Sequence, residues 1–412
     1  MNYEFFIAKR IIGSKAYKSS VSAPIIKIGI AAIAIGIVVM LIAIATGLGL
    51  QKKVREKVVA FNGHVTINNY DTNDSNESLV PISTEQTFYP QFNAVEGIKH
   101  IQGVATKFGV IRTETDFEGI FFKGVGRDYD WSYLNDFLIE GRLPAYDGAL
   151  SNEVVISNYL ANRLQFKIGD DFQTVFNKAG VDELPWQRKF KIVGIFNSGF
   201  QDIDKNFMIG DLSHIQRMNK WGKTDVGNFE VYLDDFSQLS EIEQQIRDRT
   251  PSTLDTQTIE EKFYTTFEWI NIFDSNTYGI IAIMIIVASI NMITALLVLI
   301  LERTQMIGIL KALGSSNWSI RKVFLFNAAY LIGLGLILGN SIGLFLLFLQ
   351  KQFGILKFPD PEQYYVSVIP IHISLDYIIL LNIGTFVVCF LMLIIPSIII
   401  SKISPVKAIR FD

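Results

Sequence analysis

The sequence predicts a membrane protein of four transmembrane helices with a large α+β domain inserted between the first span and the second. Two observations carry this expectation. Half of the 412 residues are hydrophobic, and mean hydropathy is +0.31, too apolar for an ordinary soluble chain and too polar for spans alone. The apolar residues also gather into four runs nearly free of charge, each long enough for a hydrocarbon core of ~30 Å. Two of the connections between them are short, and the third covers residues 51–271.

Taken in order, residues 1–24 mix Phe5, Phe6, Ile7, Ile11 and Ile12 with Lys9, Arg10, Lys15 and Lys18, the pattern of an amphipathic segment at the cytoplasmic interface. Residues 25–50 form the first span. No small-residue cleavage exit follows its apolar run, so it reads as a retained anchor. Gly36 and Gly47, among its small residues, are expected to permit close helix packing.

Residues 51–271 are long enough to bury one or two cores. A helix is expected to end at Asn62-Gly63, followed by a strand in which Val65 and Ile67 alternate with polar residues. Further helices are expected over Glu85–Ile98, Asp211–Lys220 and Gln238–Arg249. Strands are expected over Val104–Thr113, Glu118–Val125, Phe172–Phe176, Phe190–Phe196 and Phe229–Leu233, with Glu153–Leu164 running from strand into helix. Asn177–Trp186 reads as the tip between two strands, carrying Leu184, Pro185 and Trp186; an apolar tip of this kind marks a contact site, unless Trp186 folds back into the core.

Residues 272–301 form the second span, with Asn291 a polar group at depth that serves packing or a pathway. Residues 302–322 connect it to a third span at 323–350. Within this connection a helix from about Gln305 to Leu313 should stop at Gly314 and restart after Ser315-Ser316. Gly308 and Ala312, four apart, would share one face and approach a partner closely. From pattern alone the connection is either a helix that plugs a groove on a soluble partner or a solvated basic loop that sets topology. Residues 351–376 are a short outer loop, residues 377–401 the fourth span and residues 402–412 a tail.

Four spans put both termini on one side. Lys9, Arg10, Arg303, Lys311, Arg321, Lys322, Lys402, Lys407 and Arg410 all fall there, which makes that side cytoplasmic and residues 51–271 extracytoplasmic. A net charge of -3 excludes a bulk nucleic-acid footprint. One cysteine, Cys389, allows neither an internal disulfide nor a cysteine-based metal site. No Walker-type phosphate loop, H-E-x-x-H or G-x-S-x-G occurs, and the four histidines are scattered, so neither a catalytic residue nor a metal site is expected.

The series E-R-x-x-x-I-G-x-L-K-A-L-G-S-S at 302–316, with Asn291 and Met292 one span upstream, resembles the second-span and coupling-helix signature of the FtsX/MacB-type ABC permeases. I-G-I-A-x-x-A-I-G in the first span, F-I-A-x-R near the start and the 404–410 tail, with Ile409 in a leucine place, are similar to the same family. His-Val-Thr-Ile at 64–67, Phe122–Val125, Gly141-Arg142 and the 193–204 block resemble LolC/LolE-type permeases in particular. The resemblance implies a MacB-like periplasmic core domain at 51–271 in a bacterial inner-membrane protein. It also implies a non-catalytic chain driven by a separate cytoplasmic ATPase dimer, which would bind the ATP and Mg. Glu302, Arg303, Ile307, Gly308, Leu310, Lys311, Ala312, Leu313, Gly314 and Ser315 would couple to that ATPase. The other implied partners are a second copy or paralogue of this permease, membrane lipids, lipoprotein cargo and a periplasmic carrier, hooked by the tip at Leu184, Pro185 and Trp186. MacB-like efflux and FtsX-like control of wall hydrolases by mechanotransmission are the alternatives within the superfamily. A membrane-anchored sensor or scaffold without transport is the alternative from another class.

Overall fold

A computed structural model describes residues 3–13, 23–72, 76–146, 149–177, 185–359 and 366–404. The chain divides into two compact units. One comprises Met1–Gln51, Trp269–Lys357 and Val368–Asp412, and the other Lys52–Glu268 and Phe358–Ser367.

The first unit is helical. Its elements are α1 (Tyr3–Gly13), α2 (Ala23–Asn62), α3 (Tyr264–Glu302), α4 (Thr304–Ala312), α5 (Asn317–Phe353) and α6 (Leu375–Ser397), with a short turn of helix at Ile399–Lys402. The four long apolar helices have the length and composition to cross a membrane. Both α2 and α3 run past the unit boundary, at Gln51/Lys52 and Glu268/Trp269.

Small residues set how these helices pack. A Cβ on Gly335 would lie 2.7 Å from the Ile33 side chain, and one on Gly339 would lie 2.7 Å from Ile37 and 2.8 Å from the Ala34 carbonyl. The glycine row of α5 is therefore the seat of α2, and close backbone approach replaces the hydrophobic drive that is missing in lipid. Asn340 of α5 and Asn382 of α6 exchange two amide hydrogen bonds of 2.6 and 3.0 Å, a polar clasp between helices that would otherwise bury unmet donors.

The second unit is built on a mixed sheet in the order β12-β1-β11-β3-β4-β9-β6-β8-β5, with β7 pairing β3 and β8. Its strands are β1 (Val65–Asn69), β2 (Ile82–Ser83), β3 (Ile98–Arg112), β4 (Phe117–Val125), β5 (Leu138–Gly141), β6 (Glu153–Ser157), β7 (Asp171–Phe176), β8 (Trp186–Phe196), β9 (Phe207–Asp211), β10 (Asp225–Val226), β11 (Asn228–Leu233) and β12 (Leu254–Thr258). The short β2 and β10 pair apart from it. β4 runs parallel to β9 and β6 parallel to β8, and the other pairings in the sheet are antiparallel.

The core is aromatic. Phe122, Phe176 and Phe190 are fully buried, with Phe122 stacked on Phe190 at 5.1 Å. The expected helix at Glu85–Ile98 is absent, and those residues form turns. Phe88, Phe92 and Val95 have helical spacing and are buried, but Pro90 lacks a donor and Gly97 has φ of +85°. The apolar period there records three anchors of a loop.

The strands next to α2 and α3, β1 and β12, are neighbours in the sheet. Helix α2 stops at Gly63 (φ +72°), whose N–H returns to the Val59 carbonyl at 2.8 Å. Two residues later β1 starts, and its Val65 pairs with Thr258 at the end of β12. Thr258 then caps the turn Ile259–Lys262 in a capping box with Glu261, immediately before α3.

Candidate functional site

In the helical unit the distinctive element is α4. Arg303, with φ of -100° and ψ of 18°, breaks the chain from α3. Gly314, with φ of +90°, ends α4, and the Ser315 N–H reaches back to the Leu310 carbonyl at 3.0 Å. The Ser316 hydroxyl accepts from the Ser319 N–H at 3.2 Å and caps α5. The helix is two-faced: Ile307 and Gly308 are buried, while Glu302, Gln305, Ile309, Ala312 and Leu313 are exposed. Leu313 keeps 78% of its surface and Ile309 47%, and Trp318 at the start of α5 is also open. Gly308 is covered while Ala312, one turn further on, is open, and the apolar open residues are Ile309, Ala312 and Leu313. Ile309 escaped the sequence reading because its period was anchored on the two small residues.

Lys311 turns away from that face. Its ammonium donates to the carbonyls of Ile400 (2.6 Å), Ile403 (2.8 Å) and Ser401 (3.4 Å), capping the last turn after α6. Burial, with the charge of Arg321 nearby, lowers its pKa. Arg321 itself donates to the Ser401 hydroxyl. On the other side of α5, Glu4 accepts from Ser319 at 3.0 Å, and Phe5 meets Phe326 edge-on at 6.0 Å. Lys311 and its neighbours thus bind α1, α4, α5 and the end of α6 into one block, whose surface is the Ile309–Leu313 face.

The packing residues read from the spans are placed as follows. A Cβ on Gly47 would touch Thr277 Oγ1 at 3.3 Å, and one on Gly36 would lie 3.8 Å from Met284, both on α3. Asn291 is half-buried, and its carbonyl lies 4.0 Å from a Cβ position on Gly29. Asn327, fully buried on α5, has no partner for its amide among the described residues.

In the α+β unit the structure assembles a cluster that the sequence reading missed. Lys123 of β4 and Glu230 of β11 form an ion pair of 2.6 Å, each side chain 4% exposed. The same ammonium donates to the Phe61 carbonyl at 2.6 Å, in the last turn of α2. The other oxygen of Glu230 accepts from Gln102 at 2.9 Å. Lys262, just before α3, donates to Asn62 at 3.1 Å. Lys262 keeps much of its surface open, but its ammonium is tucked in, and desolvation there lowers its pKa to about 8. The last turn of α2 is thereby bonded to β4, and the turn before α3 is bonded to α2 through Asn62. Lys123 falls within the Phe122–Val125 segment, and no local signal in the sequence joins it to Glu230.

Trp186 is the first rung of β8, paired with Phe176, and Arg188 lies over its ring at 5.0 Å. It belongs to the ladder, so β8 begins four residues earlier than expected, and Pro185 is exposed beside it. Leu184 lies outside the described residues. Among the described residues no group of three or more His, Cys, Asp or Glu could hold a metal ion.

Four membrane-length helices with a projecting amphipathic connection, and a mixed α+β unit inserted between the first and second, define a permease-type membrane subunit. Residues 28–249 match the MacB-like periplasmic core domain family, and residues 278–405 match the FtsX-like permease C-terminal family. The chain belongs to the FtsX/MacB-type ABC permease superfamily. It is 20% identical over 405 residues to the lipoprotein-releasing system transmembrane protein LolC of Neisseria meningitidis serogroup B, covering 93% of this chain and 94% of that one. It is 20% identical over 403 residues to LolC of Xylella fastidiosa (92% of each chain), and over 428 residues to the corresponding LolE protein of Haemophilus influenzae (99% of each chain). The extracellular domain of the transporter YknZ, from Gram-positive bacteria, aligns over 48% of this chain and all of that one at 13% identity, with a TM-score of 0.32.

Proposed function

We propose that this ABC permease subunit serves in releasing lipoproteins from the inner membrane toward a periplasmic carrier, powered by a separate cytoplasmic ATPase. The observation that carries the reading is the near-full-length similarity to LolC and LolE, through both the helical unit and the α+β unit. In this proposal the open Ile309–Leu313 face of α4 docks on the ATPase, which holds the ATP and Mg, and a second copy or a paralogue completes the complex. The termini and α4 are cytoplasmic, and the α+β unit is periplasmic. Movement of α4 would pass through α2 and α3, whose ends are pinned by Lys123 and Lys262.

The test is purification of the full chain in mild detergent, identification of the co-purifying ATPase and acylated proteins, and reconstitution of the complex. ATP-dependent transfer of an acylated protein into the soluble fraction, lost in Leu313→Glu, is the expected result. A complex that hydrolyses ATP but leaves acylated proteins in the membrane would overturn lipoprotein release.

A further inference from the structure

The connection between α5 and α6 is used by none of the roles above. It leaves α5 at Phe353 and enters α6 at Leu375. Its two arms pair at Lys357 and Val368, and the Ile369 N–H donates to the Leu356 carbonyl at 3.2 Å. Gln350, in the last turn of α5, is 7% exposed and spends its whole amide on these arms. It donates to the carbonyls of Leu356 (2.9 Å) and Ile369 (3.1 Å) and accepts from the Leu356 N–H (2.8 Å). We propose that both arms lie at the bilayer interface as a collar in direct contact with lipid. The Gln350 amide then supplies the hydrogen bonds that water gives to an ordinary surface loop.

The level of the arms along the spans leads to that placement. Ala45 of α2, Leu347 of α5, His372 of the second arm and Tyr377 of α6 line one small cavity, so they stand at one level. The fourth span starts there. Its 23 residues rise only ~34 Å, little more than the ~30 Å of hydrocarbon to be crossed, which places the hydrocarbon boundary near Leu375. The second arm is fixed at this boundary, because the His372 N–H donates to the Ala45 carbonyl at 3.0 Å. A Cβ on Gly49 would lie 2.7 Å from the Pro370 carbonyl carbon, so the arm crosses α2 where glycine leaves room.

The surface of the arms has the chemistry of a lipid contact. Ile355 is 64% exposed, Leu356 58% and Val368 36%, and they continue the open apolar faces of α5 at Phe353 and of α6 at Leu375. Lys351 and Lys357 are exposed beside them, and a lysine stem suits an interface, since its ammonium reaches headgroups while its methylenes stay with acyl chains. Backbone polar groups that approach hydrocarbon need partners within the protein. The N–H groups of Gly354, Leu356, Ile369 and His372 have such partners, and Pro370 carries no N–H.

The experiment uses the full chain in nanodiscs of phosphatidylethanolamine and phosphatidylglycerol, in a Cys389→Ser background. A nitroxide is attached through Ile355→Cys, Leu356→Cys or Val368→Cys. Its collisions with oxygen, which concentrates in lipid, are compared with those of a water-soluble nickel chelate. Ile383→Cys on α6 is the lipid reference and Leu79→Cys on the α+β unit the water reference, both residues being 58% exposed. The three collar positions are expected to match Ile383, with high oxygen access and low nickel access. Gln350→Leu should shift the label at Leu356 toward the Leu79 pattern, and Gln352→Leu, an exposed neighbour, should not. Nickel access equal to that at Leu79 would overturn the proposal by placing the arms in water. Exclusion of both reagents would overturn it as well, because another protein chain would then cover the patch. An unchanged pattern in Gln350→Leu would remove the part given to that amide. If a label at Leu356 disturbs the paired arms, Ile355, the most open of the three, decides.

Discussion

Removing the carboxylate of Glu230 is the sharpest perturbation available in the α+β unit. Glu230 accepts from Lys123 on one oxygen and from Gln102 on the other, and it is the favourable charge felt by Lys262. Glu230→Leu deletes two charge-assisted hydrogen bonds and leaves the Lys123 ammonium buried against a single neutral acceptor, the Phe61 carbonyl. Breaking a buried pair from one side costs ~3–5 kcal/mol, mostly as the penalty of the stranded charge. Because Lys262 would also lose the favourable charge of Glu230, Glu230→Leu should fall at the upper end, ~4–5 kcal/mol. Lys123→Met should cost less, ~3 kcal/mol, because Glu230 keeps Gln102 and gains from Lys262. The double variant should recover part of the loss, since an apolar pair of similar volume strands no charge.

The assay is hydrogen exchange on the full chain in detergent, reading amides of β1, β4 and β11, which carry or flank these side chains. Lys123→Met should additionally loosen the last turn of α2, since it removes the donor on the Phe61 carbonyl. Equal costs for the two single variants, or a Glu230→Leu cost under ~1 kcal/mol, would refute the view that charge imbalance at this cluster governs its stability.

Four further outcomes are expected. Burial, with Lys99 nearby, lowers the His64 pKa to about 4, and its Nδ1 accepts from the Leu233 N–H at 3.1 Å, which only the neutral ring can do. The unfolded chain binds a proton at ~6.5 and the folded one near 4, so stability should fall as pH drops through that window, by ~2–3 kcal/mol; an unchanged acid slope in His64→Gln would contradict this. Gly339→Ala should lower the melting temperature of the full chain by overpacking Ile37 and Ala34, at ~1–3 kcal/mol, whereas Gly333→Ala, with open space at its Cβ position, should not; equal melts would remove the assigned helix contact. Lys311→Met should raise exchange at the 399–404 amides by exposing the last-turn carbonyls, at ~1–2 kcal/mol, and leave α4 itself intact; loss of α4 protection instead would place the role of Lys311 within its own helix. Cysteines at Asn73 and Asp360, both outside the described residues, should react with an impermeant thiol reagent in intact spheroplasts, and one at Ser315 should not; the reverse pattern would invert the proposed orientation.

What could be read in the sequence follows from the range of the forces involved. The spans are legible because apolar length is a local property, and the end of α4 because Gly314 and Ser316 act within one turn. Helix Leu239–Arg249 was legible because Leu239, Ile242 and Ile246 carry its whole buried face. The strands β5 and β12, Leu-Ile-Glu-Gly and Leu-Asp-Thr-Gln-Thr, have too little apolar alternation to be read, and only their neighbours in the sheet make them strands. The cluster around Lys123 is the furthest from legibility: its partners Phe61, Gln102 and Glu230 come from three other elements, with Glu230 107 residues away. Yet its position is physically determined once β1 and β12 are adjacent. β1 follows α2 and β12 precedes the turn before α3, so their pairing carries those two ends to one place. A buried cation there can reach the Phe61 carbonyl only if a carboxylate compensates it. The residues that hold the end of α2 and the turn before α3 are therefore those that pairwise sequence spacing cannot show.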